Sequence, residues 1–101
     1  MKKTTIQTKN PGRGKQGPRI DSARYDAMKA ALLEVIPRTG EGVTFASLPK
    51  LVEKRLRPAL FEGASILWYA TTVKLDLEAR GLLQRVAGVS PQRLRRSRLR
   101  P

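Results

Sequence analysis

Tyr25, Met28, Leu32, Val35 and Ile36 recur at helical spacing and form one apolar stripe. Asp21 is a good N-cap for this first helix, and Ile20 just before it can staple to Tyr25. Pro37 ends the helix, and "RTGEG" follows as a turn. "VTF", residues 43–45, is a short β-prone piece. A second helix is expected from about Ser47 to Arg57, with Leu48, Leu51, Val52 and Leu56 facing inward. Pro49 is tolerated there because it falls in the first turn, where its missing N–H has no partner to lose. "RPALFEG", residues 57–63, connects to a third helix that starts near Ser65 and stops at Gly81. In this helix Ile66, Ala70, Val73 and Leu77 share a narrow arc and should face the core. The rhythm then changes. "LLQRVA" suits a strand, "GVSP" a turn and "QRLRR" a return strand, with Leu94 inward and Arg93 and Arg95 outward.

Three helices, a short strand after the first of them and a closing two-stranded hairpin describe an α+β, mostly helical domain. The expected architecture is a winged helix-turn-helix, in which the third helix can enter a major groove and the hairpin, or wing, can reach phosphates beside it. No internal repeat is present. Residues 1–19 hold few apolar side chains and carry Pro11, Pro18, Gly12, Gly14 and Gly17. They read as an extended or disordered basic arm. The expected division is therefore an arm over 1–19, a domain over 20–96 and a basic tail over 97–101.

Charge sharpens this picture. The chain of 101 residues has a formal net charge of +13, unevenly spread. Residues 1–20 carry six basic side chains and no acid, residues 82–101 another six and no acid, and residues 21–81 nine basic against eight acidic. A nearly neutral body with two basic extremities favours a polyanion, of which nucleic acid is the usual one. The bland alternative is a pair of solvated ends that keep the chain soluble.

The chain lacks cysteine and histidine. That removes disulfides, thiolate and imidazole metal ligands, and Cys- or His-based catalysis. The eight carboxylates mostly sit at helix-surface spacing from Lys or Arg, as in Asp26 with Lys29, Glu53 with Arg57 and Asp76 with Arg80. They read as solvated ion pairs. "GRGKQG" has the letters of a phosphate loop but lacks the Gly-Lys-Ser/Thr ending and a preceding strand. No enzymatic activity, cofactor or metal is expected. No apolar run has the length of a membrane span, and the basic N-terminus has no apolar stretch after it, so a cytoplasmic protein is expected.

"VKLDLEARGLLQRV", residues 73–86, resembles the junction between recognition helix and wing in many bacterial winged-helix regulators. Leu77, Glu78, Gly81, Leu82, Leu83 and Arg85 carry that resemblance. The chain as a whole is similar to a family of small bacterial winged-helix proteins, a domain of unknown function. The matching pieces are "NPG" (10–12), "IDSARYDAMKAALLEVIP" (20–37), "TTVKLDLEARG" (71–81) and "PQRLR" (91–95). The resemblance implies the fold and places "NPG" inside the module. It implies no activity or ligand.

The candidate nucleic-acid contacts follow. Arg13, Lys15 and Arg19 lie in the arm, where "NPGRGKQGPR" loosely resembles hooks that enter a narrow minor groove. The third helix offers Trp68, Thr71, Thr72 and Lys74, although its Lys74 and Arg80 are balanced by Asp76 and Glu78. A reader of G·C pairs would carry Arg or Asn on that face. The wing offers Arg85, Arg93, Arg95, Arg96 and Arg98, with Arg100 extending the line. An Arg fork suits phosphate because it donates two hydrogen bonds at once. Trp68 and Leu75 make an apolar stripe opposite the core face. It can be buried by the first helix or the arm, it can be a homodimer seam or a docking surface for another protein, or Trp68 can stack on a base. The leading expectation is binding of double-stranded DNA with little sequence preference. The alternatives are RNA binding and a protein-interaction module.

Overall fold

The structure is a computed structural model and describes residues 4–12 and 16–97. Its first element is a hairpin of β1 (Thr5–Lys9) and β2 (Gln16–Asp21), paired antiparallel with Ile6 opposite Ile20 and Gln7 opposite Arg19. For the described residues of the expected arm, 4–12 and 16–19, this corrects the reading as extended or disordered: they form a paired hairpin. The alternation in "TIQTK" sends Ile6 and Thr8 toward the body, where Thr8 is fully buried and Ile6 packs against the core with Ile20. Pro18 has no N–H to give to a ladder. It sits where the register shifts between Gln7 and Lys9, so the ladder does not need its absent N–H. Its carbonyl accepts instead from the Thr8 hydroxyl. Gly17 lies so close to Thr8 that a Cβ at this position would collide with the hydroxyl.

Helix α1 (Ser22–Val35) begins as its sequence requires. The Asp21 carboxylate accepts from the Arg24 amide at 3.0 Å, and the Ser22 amide donates to Thr4 O, which ties the start of the helix to the hairpin. Tyr25, Met28, Ala31, Leu32 and Ile36 are buried, and Val35 is half-buried. After the turn come β3 (Val43–Thr44), a tight helical turn at Phe45–Ser47, and α2 (Leu48–Glu53). Helix α2 is shorter than the expected span to Arg57. It still directs Leu48 and Val52 into the core, and Leu56 is buried just beyond it. A second tight turn, Pro58–Phe61, buries Phe61 and leads to α3 (Ile66–Ala79).

Helix α3 is capped at both ends. The Ser65 hydroxyl accepts from the Trp68 amide at 3.0 Å. At the other end Gly81 has φ +81°, its amide donates to Glu78 O, and the Leu82 amide reaches back to Leu77 O at 2.9 Å. That pair of bonds is a Schellman cap, and only glycine takes its left-handed residue without strain. Leu77 and Leu82 are both buried, which adds the apolar contact such caps favour. The cap turns the chain into β4 (Leu83–Arg85), which pairs antiparallel with β5 (Arg93–Arg96). Strand β3 pairs with the other side of β5, giving a three-stranded sheet in the order β3-β5-β4. Leu94 on the central strand is fully buried, as its inward position required.

The result is an α+β fold with three helices and two small open sheets, consistent in element order with a winged helix-turn-helix. Ser97, placed in the tail by the sequence, is buried, and its amide donates to Leu82 O. No helix among the described residues is long and apolar enough to cross a membrane.

Candidate nucleic-acid interface

Helix α3 organises the site. At about 100° per residue, Ala70, Val73 and Leu77 form its core row, Asp76 and Arg80 lie on one flank, and Lys74 and Glu78 lie on the other. Trp68, Thr71, Leu75 and Ala79 point away from the core.

The first flank is held by a fully buried carboxylate. One oxygen of Asp76 accepts from the backbone amide of Lys9 at 2.8 Å. The other accepts from the Tyr25 hydroxyl and from Arg80 Nε, the latter at 2.8 Å. One side chain thus joins the N-terminal hairpin, α1 and α3. Arg80 also reaches Gln7 O at 3.5 Å. The spacing of Asp76 and Arg80 correctly implies an ion pair, but the expectation of a solvated one is corrected, because the N-terminal hairpin covers Asp76. The Asp76 hydrogen bond holds the Arg80 guanidinium above its already high ordinary pKa. Burial, and then the bond to Asp76, raise the Tyr25 hydroxyl well above its ordinary 10.0.

The second flank carries the wing. Glu78 pairs with Lys74 at 3.1 Å and with Arg85 Nε of β4 at 2.8 Å. Lys74 is almost fully buried, and its ammonium stands 5.0 Å from the centre of the Phe45 ring. Burial lowers its pKa from the ordinary 10.5. Lys74 therefore does not offer its charge to a ligand, which corrects its assignment as a contact residue. Its i, i+4 acid and the ring beside it hold it inside.

The wing arginines are partly engaged. Arg93 Nη1 donates to Gly42 O and Arg95 Nη1 to Gly40 O, both at 3.3 Å, while Arg96 Nε donates to Ile36 O at 2.8 Å. Each bond spends one of five guanidinium donors. The bonds draw Arg93 and Arg95 toward the Gly40–Gly42 turn before β3, at the sheet edge away from β4. Arg85, with its side chain about half exposed, is the wing cation that stands beside α3. Arg19 and Lys9 are exposed on the hairpin on the other side. Arg13, Lys15 and Arg98 lie outside the described residues, as does Arg100.

The outer face itself is now defined. Trp68 is 45% exposed and the neighbouring Leu67 is 55% exposed, while Thr71, Thr72, Leu75 and Ala79 are half-buried. Trp68 therefore keeps nearly half of its surface open. The Thr71 hydroxyl donates to Leu67 O at 2.8 Å, which leaves only its oxygen lone pairs and methyl group for a ligand. Sequence reasoning missed Leu67, which falls outside the seven-residue stripe of Trp68 and Leu75, and it missed Asp76 as the anchor of the hairpin.

Residues 5–94 match the model of a family described as Family of unknown function (DUF6958). No curated protein and no solved structure matches the chain.

Removing Asp76 strands the Lys9 amide and the Tyr25 hydroxyl. Asp76→Ala should destabilise the fold by on the order of 3 kcal/mol, read from urea unfolding, and should accelerate hydrogen exchange at the Lys9 amide beyond any change at Leu94. Tyr25 also gives a pH signature. The unfolded chain loses this proton as pH rises through 10.0, and the folded chain keeps it. The unfolded state then binds fewer protons, so stability falls as pH climbs above about 10. Lys74 acts with the opposite sign, its contribution rising with pH toward 10.5. Comparing the wild type with Tyr25→Phe cancels the lysine. The stability advantage of the wild type should be level below about pH 9 and should shrink above about pH 10.

Proposed function

Taking as premise that the chain belongs to this family, whose description assigns no activity, we propose that it is a nucleic-acid-binding domain of the winged helix-turn-helix type. It grips the phosphates of double-stranded DNA and reads little of the sequence. The observation that carries this reading is the placement of two basic hairpins on opposite flanks of one helix face. The hairpin of β1 and β2 brings Lys9 and Arg19 beside the Asp76–Arg80 flank. The wing of β4 and β5 brings Arg85 beside the Lys74–Glu78 flank. Between them lies the outer face of α3, which carries no acid.

The low sequence preference follows from that face. Trp68, Thr71, Thr72, Leu75 and Ala79 include no Arg, Asn or Gln to make paired hydrogen bonds with a purine edge. Affinity then comes from phosphate neutralisation, which releases counterions and depends steeply on salt. Arg85, Arg93, Arg95 and Arg96 each keep donors beyond the one spent inside the fold. The charge balance supports the same reading, because every acid of the chain lies between Asp21 and Glu78 while the cations extend to both ends.

Deleting residues 92–101 would remove β5 and the buried Leu94, so point substitutions are the cleaner test. With about six phosphates neutralised, log K for a random duplex should fall against log salt with a slope near −5. Replacing the exposed Lys9 and Arg19 by Gln should lower the magnitude of that slope by roughly two. A slope near −1 for the wild type contradicts the grip.

A further inference from the structure

Resting on the nucleic-acid reading, we propose that Trp68 is a base-stacking platform, and that the preferred ligand is duplex DNA containing an unpaired base, such as a bulge, over the intact duplex. The ring is built into the fold. Phe61 is buried and meets Tyr69 edge to face, with centroids 5.5 Å apart. Tyr69 is half-buried and meets Trp68 in the same manner at 4.9 Å. Arg24 locks the middle of this series. Its guanidinium carbon stands 5.4 Å from the Tyr69 ring centre, and its Nη1 bonds the Tyr69 hydroxyl at 3.1 Å. A ladder of three rings thus runs from the core to the surface and ends on an indole that is 45% exposed. A ring held by such neighbours loses little freedom on binding.

The charges along the same helix select the occupant. Cations flank the C-terminal half of α3 on both sides, two to three turns along from Trp68, and a phosphate backbone that satisfies them extends past the ring. Two exposed apolar side chains, Leu67 and Trp68, offer far less area than a stable protein interface, which buries about 800 Å² per partner. The magnitudes then separate one nucleic acid from another. Stacking of a base on an aromatic side chain strengthens binding by about five- to a hundredfold. Opening an intact base step costs a comparable factor, so Trp68 gains little from a perfect duplex. At a bulge the base is already unstacked, and the gain is kept. The face offers no side chain to read which base it is, so the preference is for the distortion and not for a sequence.

Trp68 is the single tryptophan of the chain, so its emission reports this contact directly. The experiment titrates the full chain with a short duplex and with the same duplex carrying one unpaired adenine, at two salt concentrations. The expected result is tighter binding to the bulged duplex by about tenfold, with quenching of Trp68 emission that the intact duplex does not match. Trp68→Ala should equalise the two affinities, and Trp68→Phe should restore part of the difference, because a phenyl ring still stacks. Both variants alter an exposed side chain, and an unchanged urea midpoint verifies their fold. Equal affinities with unaltered emission overturn the stacking proposal while salt-dependent binding leaves the phosphate grip standing. Absence of salt-dependent binding to either duplex overturns both. Loss of an oligomer in Trp68→Ala, with both affinities unmoved, assigns the ring to contact with a second copy of the chain and also overturns the proposal.

Discussion

The buried carboxylate of Asp76 is the constraint on which the arrangement depends. A carboxylate removed from water must be compensated by hydrogen bonds and by opposite charge. Asp76 obtains these from three separate parts of the chain: the Lys9 amide, the Tyr25 hydroxyl and the Arg80 guanidinium. Each donor is also a mechanical tie. The N-terminal strand cannot leave α3 without breaking the bond from the Lys9 amide to this carboxylate. A hairpin whose two strands have eleven residues in all and few apolar side chains would otherwise have little to hold it, since an isolated two-stranded ribbon is marginal in water.

That tie has an electrostatic consequence. It fixes the basic hairpin against one flank of α3, while Glu78 holds Arg85 of the wing against the other. The two acids of the C-terminal half of the helix therefore act as fasteners, each consumed by cations of its own flank. The helix is electrically quiet on its outer face, and the positive charge is carried by the elements beside it. A polyanion approaching this face meets cations at its margins and apolar and hydroxyl groups at its centre. On the proposed reading, attachment through phosphates is thereby separate from the outer face of the helix, which carries the Trp68 indole at its N-terminal end and no base-reading amide.

Much of the fold was legible in local chemistry. Asp21, Ser65 and Gly81 mark helix ends through caps that work with neighbouring residues alone, and the buried rows of α1 and α3 follow from spacing. The closing hairpin was legible because Leu94 alternates with arginines. What escaped depends on distant partners. "TIQTK" alternates as a strand should, but Pro18 and the glycines opposite spoke against pairing, and the register shift that accommodates Pro18 is visible only once the strands meet. Asp76 and Lys74 have the i, i+4 partners of ordinary surface pairs. Nothing near them in sequence announces the hairpin over the one or the Phe45 ring beside the other. Of the candidate site, the spacing correctly placed Trp68 opposite the core row, but its exposure was undecided until the paths of α1 and the hairpin were known. The wing arginines were expected to face outward, and their bonds to Gly40, Gly42 and Ile36 carbonyls arise from a turn more than fifty residues upstream.

The most direct test of this account is the footprint of a short duplex on the backbone amides of the isotope-labelled protein, followed by nuclear magnetic resonance. Two basic surfaces compete: the outer face of α3 with its flanking hairpins, and the exposed Lys50, Lys54 and Arg57 around α2. Amides of Lys9, Arg19, Trp68, Thr71, Leu75 and Arg85 should shift together as duplex is added, while those of Lys50 and Lys54 stay in place. A footprint centred on Lys50, Lys54 and Arg57, with the two hairpins unmoved, would contradict it.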